Sequence, residues 1–117
     1  MTKDEGIAWM AVRHLIEGHR VIYVTTRAER MRAMMDRVAA AAPDGLVKCI
    51  YRGRGDERIR FRNGADISFH TPTRGARGLT ADVVLLDEVS DQMAAYGEQI
   101  AAGSDIGQVH RYVREDD

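Results

Sequence analysis

The apolar positions of the chain follow two periods, one helical and one of two residues. Ile7, Ala8, Ala11, Val12, Leu15 and Ile16 recur at helical spacing and predict a buried stripe. Thr2-x-x-Glu5 is a capping box that starts this helix near Lys3, and Gly18 suits the residue just past its end. Trp9 and Met10 flank the stripe as edge packing. Val21 to Thr25 is a short branched run, a strand buried on both faces. Thr26-x-x-Glu29 predicts a second capping box and a helix to about Ala41, with Met31, Met35, Val38 and Ala42 on its inner face. Pro43-Asp44-Gly45 ends it with a turn, and Leu46 to Tyr51 reads as another strand, parallel to the central strand Val83 to Leu86. From Arg58 to His70 the period becomes two. Ile59 and Phe61 alternate with arginines, Asn63-Gly64 supplies a tight turn, and Ile67 and Phe69 alternate on the return. Val83 to Leu86 is an apolar run too short for a helix core, and it predicts a central strand. Val89 to Ala102 reads as a helix capped by Ser90 or Asp91 and ended by Gly103, with Met93, Ala94, Ile100 and Ala101 facing inward. Val109, Arg111 and Val113 alternate in a short edge strand.

Helix, strand, helix, strand is half of a doubly wound unit. The expected fold is therefore α/β: a small open, mostly parallel sheet with a β-hairpin and flanking helices, in one domain over residues 1–117. The central strand ends in Asp87-Glu88, and ligands of open α/β sheets bind at the carboxyl edge. Such a pair suits nucleotide hydrolysis, with Asp87 holding a Mg²⁺ through its waters and Glu88 polarising the attacking water. The same two acids also suit the first turn of a helix, where the dipole favours them.

Charge and composition narrow the partners. A net charge of −1 gives no global pull toward nucleic acid, yet arginine is concentrated between Arg52 and Arg77. Arg58, Arg60 and Arg62 on the hairpin form either a solvated face or a nucleic-acid surface, with Arg52 and Arg54 of an Arg-Gly connection as weaker contacts. Cys49 is alone, which excludes a disulfide framework and a cysteine zinc site, and it reads as a small buried side chain. The four histidines share no metal-ligand spacing with one another or with Cys49. No segment reaches a membrane span and the amino terminus lacks a signal-peptide pattern, so a cytoplasmic protein is expected.

The hairpin Arg58 to His70, the Arg-Gly loop Arg74-Gly75-Ala76-Arg77-Gly78 and the strand ending Asp87-Glu88 occur in an order that resembles the ATPase domain of phage large terminase subunits. The resemblance covers about Gly6 to Ser90. It implies a truncated P-loop-NTPase-like core whose Walker B strand ends in Asp87-Glu88, located in the host cytoplasm. It also implies that Arg77, eleven residues before Glu88, is a trans-acting arginine finger, with Arg74 second. The family's Walker A motif, Gly-x-x-x-x-Gly-Lys-Ser/Thr, does not occur in these 117 residues, and the chain is expected to begin where that motif would end. The implied function is that of a non-hydrolysing partner, regulator or split piece of a DNA-packaging or other nucleotide-driven DNA machine. Mg²⁺ and ATP would bind only in a complex with a terminase or other ATPase subunit. The alternative is an α/β binding module whose basic hairpin contacts nucleic acid or protein, with Asp87-Glu88 as a helix cap.

Overall fold

A computed structural model describes residues 1–53, 55–72 and 80–114. Arg54, Arg74 and Arg77 lie outside the described residues. In chain order the elements are α1 (Lys3–Ile16), β1 (Arg20–Thr25), α2 (Ala28–Ala41), β2 (Val47–Gly53), β3 (Asp56–Phe61), β4 (Asp66–His70), β5 (Val83–Asp87), α3 (Asp91–Ala101) and β6 (Gln108–Tyr112). They build one six-stranded sheet in the order β2-β3-β4-β1-β5-β6. β4, β1, β5 and β6 are mutually parallel, while β2, β3 and β4 form an antiparallel meander.

The two periods place the layers. Val21, Tyr23, Ile59, Phe61, Ile67, Phe69, Val83 and Leu85 face one side of the sheet and pack on α1 and α2. The alternate positions of β1 and β5, Ile22, Val24, Val84 and Leu86, face the other side and pack on Ile100 and Ala101 of α3. Strands β1 and β5 are thus buried on both faces, as their unbroken apolar runs require.

Local chemistry sets the ends. The Thr2 side chain accepts from the Glu5 amide, and Gly18 takes φ +90 to turn the chain out of α1. Asn63 does more than form the hairpin turn: its amide group donates to the Leu15 and Ile16 carbonyls at 2.9 and 3.2 Å, closing the end of α1. Ser90 caps α3 by accepting from the Met93 amide.

Several sequence expectations are corrected. Thr26 does not cap α2; Arg27 stands at that position with no side-chain cap, and Met34 joins the inner face. Ile16 is half exposed because the stripe has rotated off the core by the last turn of α1. Arg52, Gly53, Asp56 and Glu57 belong to a second hairpin, with Arg52 paired to Glu57 and Gly53 to Asp56. β2 runs in the same sense as β5, but through two antiparallel steps, and it sits at the far edge. Cys49, on that edge strand, is partly exposed.

Candidate functional site at the carboxyl ends of the strands

β1 leads into α2 on one face of the sheet, and β5 leads into α3 on the other. Where adjacent parallel strands send their connections to opposite faces, a crevice opens beyond their carboxyl ends. Asp87 and Glu88 stand at that crevice. A cleft of about 500 Å³ lies there, lined by Thr26, Arg27, Glu88, Val89 and the segment Arg111 to Arg114. A second depression, also bordered by Glu88, adds Lys3, Asp4, Arg30 and Arg37.

The last residue of β5, Asp87, is fully buried, and its charge is held by three partners from three elements. Oδ2 accepts from the Tyr23 hydroxyl at 2.6 Å and from Arg30 Nε at 2.9 Å. Oδ1 faces the Lys3 ammonium at 3.1 Å. A carboxylate without water is tolerable only when paired and hydrogen-bonded in this way. Tyr23 responds accordingly: burial and the bond to Asp87 push its pKa well above the usual phenol range. Burial and the nearby Asp87 charge also raise that of Tyr112.

Glu88 leaves the strand in the left-handed region, φ 59, with its amide donating to the Tyr112 carbonyl at 2.9 Å. A side chain other than glycine there is strained by about 1–3 kcal/mol, and such outliers gather at functional sites. Its carboxylate meets Lys3 Nζ at 2.6 Å and Arg30 Nη2 at 3.5 Å. Burial opposes charge on Lys3, but pairing with Glu88 and Asp87 outweighs it and its pKa is raised. Arg30 also takes Asp4 at 2.7 Å, so the acidic start of α1 is neutralised from α2. Arg111 ties β6 to the start of α3 through the Val89 carbonyl at 3.2 Å and Asp91 at 2.7 Å.

The chemistry of this donor set bears on a metal. Oδ2 of Asp87 is taken by Tyr23 and Arg30, while the buried Oδ1 faces the Lys3 ammonium at 3.1 Å but accepts no hydrogen bond. A Mg²⁺ fits against Oδ1 only after the Lys3 ammonium has moved away. With Lys3, Arg27, Arg30, Arg37, Arg111 and Arg114 about the crevice, the arrangement suits an anion that would draw those cations outward.

Among solved structures, the chain superposes on the crystal structure of the HK97 bacteriophage large terminase with a TM-score of 0.68. The fold is terminase-like. The match covers 97% of this chain and 28% of that one, at 10% sequence identity, so it speaks to fold alone. No family model matches the chain, and neither does any curated protein. Among the described residues, no helix is long and apolar enough to cross a membrane.

The residues singled out in the sequence divide. Asp87 and Glu88 share one site. Arg58, Arg60 and Arg62 lie far from it in the meander, and Arg52 pairs with Asp36 of α2 at 2.9 Å. Arg58 lies 4.7 Å from the Tyr51 ring centre and 3.3 Å from Asp56. Sequence reasoning missed Lys3, Tyr23 and Arg30. Only Tyr23 left a signal, since a hydroxyl inside a doubly buried strand must find a partner. The histidines also needed correction: His14 and His19 stand Nδ1 to Nδ1 at 3.0 Å, with Glu17 beside them. The Gly18 turn brings them together, and His14-x-x-x-x-His19 falls within the zinc-ligand spacing that sequence reasoning passed over.

Proposed function

We propose that this chain is a terminase-like ATPase-core protein that acts with a partner in a nucleotide-driven DNA machine such as DNA packaging, and that it does not hydrolyse ATP alone. The observation that carries this reading is the state of Asp87-Glu88 at the switch-point crevice. Their place at the carboxyl end of a central strand supports a Walker B-like role, and Lys3 and Arg30 pair with them. These 117 residues also contain no Gly-Lys-Ser/Thr phosphate loop. In a complex that supplies phosphate-binding groups, Lys3 would turn to the nucleotide. Asp87 would then hold its Mg²⁺ through water, with Glu88 placed to orient a nucleophile. Calorimetric titration of the chain with Mg-ATP tests the reading. The expected result is no binding tighter than about 1 mM, roughly −4 kcal/mol. A low-micromolar dissociation constant would mean that these residues hold nucleotide unaided, and the partner reading falls.

A second reading draws on the open sheet face. Arg58 and Arg60 alternate with the buried Ile59 and Phe61, so they point away from α1 and α2. The cluster under α3 includes β1 and β5 residues but none from β2, β3 or β4. Tyr51 and Arg58 on that face could stack on bases, as single-strand platforms do. Salt-dependent DNA binding that is lost when Arg58, Arg60 and Arg62 become alanine, and kept in Asp87→Ala, would favour this reading.

A further inference from the structure

At the other end of the sheet, before β1 begins, one turn of chain gathers three metal-ligand side chains. His14 lies in the last turn of α1, Glu17 is its C-cap, and His19 follows the left-handed Gly18. The His19 amide donates to the His14 carbonyl at 3.1 Å, which fixes the two backbones relative to one another. Asn63 holds the neighbouring carbonyls, so the turn is braced from the hairpin as well. One ligand atom from each of the three side chains lies within 4.8 Å of the others.

We propose that His14, Glu17 and His19 form a binding site for an imidazole-preferring divalent transition ion of the Zn²⁺ class. The distances carry the idea. Two metal–nitrogen bonds of about 2.1 Å set their nitrogens about 3.0 Å apart at a right angle, and about 3.4 Å apart at the tetrahedral angle. The Nδ1 atoms stand 3.0 Å apart. With ring centroids at 5.2 Å the nitrogens meet head-on, and each ring swings by about 45° to bring both lone pairs to one point about 2.1 Å from each nitrogen. The Glu17 carboxylate, with an oxygen within 4.8 Å of a nitrogen of each histidine, supplies the third ligand and offsets the ion's charge. Water completes an open four-coordinate site. A cation is also favoured where the carbonyls of α1 end. Burial and then the neighbouring His19 lower the pKa of His14, the direction that favours the neutral form a metal requires. Other charged or titratable groups nearby are Arg13, Asp82 and His110, whose ring centre is 6.2 Å from that of His14.

Bound there, the ion would bolt the end of α1 to the start of β1, far from Asp87 and independent of the function proposed above. The test is calorimetric titration of the untagged chain with ZnCl₂, repeated with Co²⁺ to read its coordination by absorbance. One equivalent should bind, with a higher melting temperature. Because His14 is buried, the deciding variants are the more exposed His19→Ala and Glu17→Gln, each expected to weaken binding about tenfold or more. Cys49→Ser and His70→Gln should bind as the parent does. Absence of saturable binding, binding that survives His19→Ala, or binding lost in Cys49→Ser would each overturn the site.

Discussion

Asp87 has no surface open to water, and its neutralisation depends on side chains from α1, β1 and α2. A buried ion pair adds little net stability, but removing one partner strands the other charge. Arg30→Ala should therefore destabilise the protein by about 3 kcal/mol, and Asp87→Asn in the same background should recover much of that loss. Urea unfolding of the two variants measures it; an Arg30→Ala cost below about 0.5 kcal/mol would mean that Lys3 and Tyr23 suffice. His70 supplies a pH signature at the same scale. Burial lowers its pKa against a smaller opposing pull from Glu57, and its ring bonds Ser68 at 2.9 Å. The unfolded state, with the ordinary value near 6.5, then takes up the proton first. Stability is unaffected above about pH 7 and declines as pH falls through 6.5 toward the folded value. His70→Gln should lessen that decline in melting curves between pH 7 and 5, leaving the share that comes from His14, whose pKa is lowered too. An unchanged slope would assign the effect elsewhere.

At the scale of elements, α3 approaches β5 unusually closely through Gly97. A β-carbon there would stand 2.9 and 3.1 Å from the two methyl carbons of Leu86 and 3.3 Å from Val84. Helix propensity alone favours Gly97→Ala by about 1 kcal/mol. Overpacking against a buried strand costs about 1–3 kcal/mol, so the expected net effect is destabilising. Thermal unfolding gives the sign directly, and a stabilised Gly97→Ala would show that α3 can ride outward at little cost. The same closeness explains why the crevice is shaped as it is. With α3 pressed onto Val84 and Leu86, the chain must leave β5 sharply, and Glu88 takes up the left-handed turn.

For the whole molecule, the decisive feature is that helices leave β1 and β5 toward opposite faces. This opens one crevice and surrounds it with cations. The terminase resemblance implies that Arg77 would act across the interface of the proposed complex on a partner's nucleotide, where a guanidinium can contribute about 10³-fold in rate. Arg77→Ala should lower the partner's ATP turnover while the complex still forms. Arg77→Lys should not restore it, because the planar fork is lost. Turnover that is the same for wild type, Arg77→Ala and Arg74→Ala would remove the arginine finger from the proposal.

How much was legible follows from the range of each interaction. The stripe of α1, the doubly apolar runs of β1 and β5, the Asn63-Gly64 hairpin and the Ser90 cap were all readable, because each depends on residues a few positions apart. Asp87-Glu88 could be placed at a strand end for the same reason. The Thr26 cap failed because the local pattern permits it but the backbone places Arg27 at that position. The second hairpin hid in an Arg-Gly stretch, since Arg52, Gly53, Asp56 and Glu57 pair across β2 and β3 without an apolar alternation of their own. Lys3 and Arg30 reach Asp87 from positions 84 and 57 residues away along the chain, and His14 meets His19 only because Gly18 turns left-handed. Periodicity and capping are local, so the sequence by itself determined the elements and the acids that end β5. Charge pairing and ligand convergence depend on which elements become neighbours, and only the tertiary structure decided those.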